Sequence, residues 1–121
     1  ALSDGKLALD DLSMVETHDC FTMAELMEYE AMGLTKPGKG AQALEEGWTE
    51  KDGKLPVNPS GGLKSKGHPI GATGVSMHVL AAMQLRGEAG DMQVDGANLV
   101  GTFNMGGAGA ANYVSILEGL K

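Results

Sequence analysis

Apolar positions recur along the chain in short separable blocks, and the spacing within each block predicts an element. Leu12 to Thr17, apolar with a β-branched end, predicts a short strand running into His18-Asp19-Cys20-Phe21. Thr22 and Glu25 fit a capping box, and Met23, Leu26, Met27 and Ala31 then share one face of a helix reaching about Met32. Leu55 to Val57 predicts a very short strand that ends at Asn58-Pro-Ser-Gly-Gly62. From Ala72 to Arg86 the period is helical, with Val75, Val79, Leu80 and Met83 as the apolar stripe. Two further strands, Ala97 to Asn104 and Ala110 to Leu117, flank the glycine-rich turn Met105 to Gly109 and predict a hairpin. Leu2 to Leu9 reads as the last turns of a helix, and Gly33 to Lys54 as a long surface excursion with one helical turn at Ala41 to Glu46. Strand, helix, strand, helix and hairpin together predict an α/β domain with a mixed sheet layered with helices.

Composition narrows the class. The 121 residues fit one domain, residues 1–121, and 42% hydrophobic with 21% charged content is that of a globular chain. A net charge of −7 leaves no basic stripe, which argues against nucleic acid and anionic membrane surfaces as partners. One cysteine, Cys20, forbids an intramolecular disulfide and points to a reducing, cytoplasmic setting. No apolar run approaches the roughly 18 residues of a membrane span. Nineteen glycines imply many sharp turns or close backbone approaches, while the eight methionines are expected as core filler.

Three clusters carry candidate chemistry, and each lies at a predicted strand end or turn: His18-Asp-Cys20, Gly67-His-Pro69 and Asn104-Met-Gly-Gly107. A cysteine beside an imidazole can become a thiolate, so Cys20 with a histidine is a candidate reactive pair; a small buried hydrophobe is the structural alternative for the same residue. His78 sits mid-helix without glycine context and is expected to be a hydrogen-bonded structural histidine. His18, Cys20, His68 and His78 match no zinc-ligand spacing, so no metal is expected. Gly33 to Gly40 nearly spells a phosphate-binding loop, but Gly40 stands where a magnesium-binding hydroxyl is needed, and a helix precedes it instead of a strand.

His18-Asp-Cys-Phe21, Asn58-Pro-Ser-Gly-Gly-Leu-Lys-Ser-Lys-Gly-His-Pro-Ile-Gly-Ala-Thr-Gly74, Gln84-Leu-Arg-Gly-Glu-Ala-Gly90 and Phe103-Asn-Met-Gly-Gly107 together resemble the C-terminal part of thiolases of the sterol-carrier-protein-x type, over about residues 10 to 118. The resemblance implies a thiolase-like C-terminal domain and a coenzyme A thioester as substrate, with no permanently bound cofactor. It implies that His68 activates a nucleophilic cysteine and helps bind the thioester oxygen. His18 would replace an asparagine as an oxyanion donor, and Cys20 would move the proton on the acyl α-carbon. Most thiolases carry that acid/base cysteine in a late Cys-x-Gly motif; here the position is Asn104, and Gly106 keeps its backbone donor. The family's nucleophilic cysteine lies in an N-terminal half that has no counterpart in this sequence, so the chain is expected to be a domain truncated at its N-terminus, inactive alone and prone to self-association as a homo-oligomer. Two alternatives stand beside acyl transfer: retro-aldol cleavage of a β-hydroxyacyl-CoA, and a non-catalytic assembly module.

Overall fold

A computed structural model describes residues 1–120. Its sheet has three strands, β1 (Met14–Glu16), β2 (Leu99–Gly106) and β3 (Ala111–Glu118), in the order β1-β2-β3. β1 and β2 run parallel, with Val15 opposite Gly101, while β2 and β3 form the antiparallel hairpin, with Thr102 opposite Ser115. The expected mixed sheet is therefore present. Leu55 to Val57 contributes a single parallel bridge, Val15 to Val57, instead of a strand.

Alternation along β1 divides the core, because neighbouring strand residues face opposite ways. Val15 joins Leu12, Tyr29, Leu34, Ala43, Leu55 and Val57, whereas Met14 joins Ala81, Val94 and Val100. The first cluster seats helices α1 (Thr22–Ala31) and α2 (Gly40–Glu45), and the second seats α4 (Thr73–Leu85), so helices cover both faces of the sheet. The short helix α3 (Gly62–Lys66) lies between them in sequence and carries the chain toward His68. Among the described residues no helix is long and apolar enough to cross a membrane.

Four local expectations are corrected. Leu2 to Leu9 is not the end of a helix: the segment is turns followed by a 3-10 turn at Leu9–Asp11, where Asp11 Oδ2 accepts from the Ala8 amide at 2.8 Å. The capping box does not form, since Phe21 is the N-cap residue of α1 and no side chain caps it. The Glu25 carboxylate turns instead to the Tyr29 hydroxyl at 2.5 Å and to Lys64. Residues 33–54 are more than a surface excursion, because Leu34 and Ala43 are core residues and Gly40 packs so closely on the Leu26 backbone that a Cβ there would collide. On α4 the buried positions are Thr73, Met77, Ala81 and Gln84, not the expected stripe; Val75 and Val79 are exposed.

Candidate functional site

The parallel pairing of β1 and β2 brings their C-terminal ends to one edge of the sheet, and the chemistry-bearing clusters gather there. A cleft of about 1350 Å³ is lined by His18, Cys20, His68 and Gly106 together, with Asn104 and Thr73 beside them. All four residues singled out for catalysis thus face one space.

The β1 side of this cleft is braced from below. Asn58 accepts from the Thr17 amide through Oδ1 at 2.8 Å, while its own amide donates to the Val15 carbonyl at 2.9 Å, and this places its backbone at a left-handed φ of 50°. Asp19, 1% exposed, accepts from the Leu63 amide through Oδ1 at 2.7 Å and has Lys64 Nζ at 3.7 Å from Oδ2. Gly62 must be glycine twice over: its φ is 66°, and a Cβ would strike the Asp19 carboxylate. Ser60 donates to buried Glu16 at 2.8 Å, and the Thr17 hydroxyl donates to Glu28. Burial raises the Glu16 carboxyl above its ordinary range, with the Ser60 hydrogen bond opposing. Burial likewise pushes Glu28 up to about 7 against the Thr17 hydrogen bond, and Glu28 Oε1 is a buried oxygen without a hydrogen-bond partner among the described residues. The Asn-Pro-Ser-Gly-Gly segment, which the sequence marks as the end of a strand and the start of a family-like motif, is therefore the support for the turn carrying His18 and Cys20.

His68 stands on the exposed rim after Gly67, whose φ of 98° ends α3. Its Nδ1 lies 2.7 Å from Thr73 Oγ1, and the Thr73 hydroxyl donates to the Pro69 carbonyl at 3.1 Å. With that hydroxyl donating to Pro69, the Thr73 oxygen is available to accept from His68 Nδ1–H, and the neutral ring in that tautomer has a lone pair on Nε2. That is the protonation pattern of a general base. His18 meets His68 edge to face, ring centroids 4.8 Å apart at 86°. Its Nδ1 lies 2.7 Å from Asn104 Oδ1. Burial holds the His18 imidazole below its usual value; the Asn104 hydrogen bond opposes this, and neighbouring His68 adds to it.

Cys20 is half-buried at the cleft and not in the core, so the alternative of a buried hydrophobe does not hold. Its amide donates to the His18 carbonyl at 2.9 Å, a tight turn that holds the two residues together. Gly106, at the end of β2, has open space where a Cβ would stand. His78 is hydrogen-bonded as expected, with Nδ1 2.7 Å from the Gly74 carbonyl and Nε2 2.9 Å from Ser115 Oγ, and it also forms part of the cleft wall. The methionines divide: Met14 and Met77 are fully buried, whereas Met23 and Met27 are exposed and Met27 and Met105 line the cleft, contrary to a pure filler role. Among the described residues no cluster of His, Cys, Asp or Glu has the arrangement of a metal site.

Residues 1–119 match the family described as thiolase C-terminal domain-like. An acetyl-CoA acetyltransferase of Methanothermobacter thermautotrophicus is 47% identical over 118 residues, which is 98% of this chain and 31% of that protein. Human sterol carrier protein 2 is 48% identical over 104 residues, covering 86% of this chain and 19% of the relative, and the benzoylsuccinyl-CoA thiolase subunit BbsB of Thauera aromatica is 39% identical over 83% of this chain and 26% of its own. In fold, the chain superposes on the Ltp2-ChsH2(DUF35) aldolase with a TM-score of 0.83 over 99% of its length and 30% of that chain, at 21% identity. It spans about a third or less of each of these relatives. On the evidence of these matches, the chain belongs to the thiolase C-terminal domain-like family.

Proposed function

We propose that this chain is the C-terminal part of an acyl-CoA acyltransferase that runs Claisen condensation or thiolytic cleavage of a 3-ketoacyl-CoA in the cytoplasm, completed by an N-terminal thiolase half that carries the nucleophilic cysteine. The observation that carries this reading is the convergence of His18, Cys20, His68 and Gly106 on one cleft. His68, with its free Nε2, takes the thiol proton and, once protonated, donates to the thioester oxygen. Cys20 moves the proton on the acyl α-carbon. The Gly106 amide and His18 in its protonated form serve the developing oxyanions. Exposed Phe21, Met23, Ile70, Val75 and Tyr113 give the completing half, or a second copy of the chain, an apolar surface to cover.

The test is a chimera in which this chain replaces the matching segment of the Methanothermobacter acetyltransferase. It is expected to catalyse thiolysis, and Cys20→Ala and His68→Ala are each expected to lower kcat by about 10²–10⁴-fold. A folded chimera without activity would leave a non-catalytic assembly module. The same cleft suits retro-aldol cleavage of a β-hydroxyacyl-CoA, and Cys20→Ser separates the two: thiolysis needs the thiol, while the retro-aldol reaction survives its loss.

A further inference from the structure

The loop that carries His68 has little packing of its own. Residues 67–72 are all exposed, Ile70 at 99%, and the glycines at 67 and 71 have left-handed φ values of 98° and 82°. A segment of this kind keeps one conformation only where its ends are tied. At the α4 end the tie is buried Thr73, whose amide and hydroxyl each donate to the Pro69 carbonyl at 3.1 Å and whose Oγ1 lies 2.7 Å from His68 Nδ1. Thr73 is held in turn by Ser76, which donates from Oγ to the Thr73 carbonyl at 2.8 Å. From the C-terminal end of α3, Lys66 Nζ reaches across the loop and donates to the same Ser76 oxygen at 3.0 Å. An ammonium only donates and a carbonyl only accepts, so both of these bonds have a fixed direction. The first of them joins residues ten apart and closes the stretch 66–76 into a ring with His68 inside it.

We propose that Lys66 is a positioning residue that clamps the His68 loop, bridging α3 to the first turn of α4 through Ser76 and so setting where the His68 imidazole stands in the cleft. The inference rests on the acyltransferase reading for its catalytic consequence. Neither Lys66 nor Ser76 lines the cleft, so both act through Thr73 and His68 and not on substrate. The bridge requires of position 66 a hydrogen-bond donor at the end of a long stem. Its charge is a separate matter: burial raises the Glu16 carboxyl, and Lys66, after the Ser60 hydrogen bond, opposes that rise. Ser76→Ala breaks the bridge and leaves this charge in place.

Hydrogen exchange in the 121-residue chain tests the clamp without any need for activity. Lys66→Met and Ser76→Ala are each expected to speed exchange of the Ala72 and Thr73 amides about tenfold, as the loss of one hydrogen bond to a charged group requires. The Ala81 and Gln84 amides of the same helix are expected to keep their rates. The double variant is expected to be no faster than the faster single one, because either change breaks the same bridge. Parental rates in Ser76→Ala overturn the proposal, whatever Lys66→Met does. Additive acceleration in the double variant overturns it too, and so does acceleration along the whole of α4. In the chimera, the same two substitutions are expected to lower kcat about ten- to hundredfold with KM near the parental value, and Lys66→Arg, which keeps a donor, is expected to recover most of the loss. Parental kcat with a loosened loop overturns this inference alone, whereas an inactive parent chimera overturns the acyltransferase reading and leaves the clamp to the exchange rates.

Discussion

The two walls of the cleft are built on different principles. On the β1 wall, Met14 through Asp19 are all buried, and the backbone is held by side chains from distant segments: Asn58, Ser60, the Leu63 amide through Asp19, and Glu28 through Thr17. The hairpin wall is open. β3 has no fully buried residue, Tyr113 is 67% exposed, and what ties this wall to the other side is the β1–β2 ladder, His78 to Ser115 and Asn104 to His18. One wall is held by hydrogen bonds from distant segments, even though Glu28 Oε1 and Asn58 Nδ2 lack a partner among the described residues; the other is ordered by strand pairing, those two side-chain bonds and the packing of Ile116 and Leu117.

Glycine substitutions give the largest contrast. Gly62→Ala is expected to cost about 3 kcal/mol or more, since it adds a left-handed strain to a collision with a buried carboxylate. Gly107→Ala, with a φ of 58° and its nearest neighbour, Ala110 Cβ, at an ordinary 3.4 Å, is expected to cost about 1 kcal/mol from conformation alone. Equal losses in denaturant titrations of the two variants would erase the distinction between the walls.

Next in size is a pH effect confined to the β1 wall. Glu28 has a folded-state value raised from 4.5 to about 7, so the folded chain holds its proton more tightly than the unfolded chain. Its stabilising contribution is complete below about 4.5 and is lost as pH rises through about 7. Subtracting the melting temperatures of Glu28→Gln from those of the parent chain is expected to give a difference that falls across this window and is flat above it. A flat difference throughout would mean that Glu28 titrates as a solvated carboxylate. The smallest effect belongs to the hairpin wall, where Tyr113→Ala is expected to change stability by no more than about 0.5 kcal/mol, measured by the same titration.

The three strands of the sheet, the hairpin, the long helix and the cleft residues were legible in the sequence because they rest on local pattern or on distinctive motifs, whereas Leu55 to Val57 yields one bridge in place of the expected strand. The faces of the helices were not. On α4 the apolar residues suggested burial of Val75 and Val79, but the inward positions go to residues that meet specific needs: Gln84 accepts from the Val94 amide at 2.8 Å and donates to the Met92 carbonyl at 2.7 Å, and Thr73 orients His68. Val75 faces the cleft instead, as does Met27 of α1. Periodicity reports that a helix has an apolar face without saying which body covers it. Asn104 was visible as a departure from the family's late motif, but its bond to His18 depends on strand register, which no local pattern encodes. Glu28 was missed outright, since its significance comes from what surrounds it and not from its neighbours in sequence.

The separation of β1 from β2 also sets the order in which the site can come into being during synthesis. While the chain emerges from its N-terminus, β1 has no strand partner beyond the bridge from Val15 to Val57, and His18 and Cys20 are made long before Asn104 and Gly106 exist. Contacts so distant in sequence form late and slowly, because a large loop must close before they contribute. The Cys20 side of the cleft therefore waits for β2, and a polypeptide halted before Leu99 lacks β2, β3 and the cleft together.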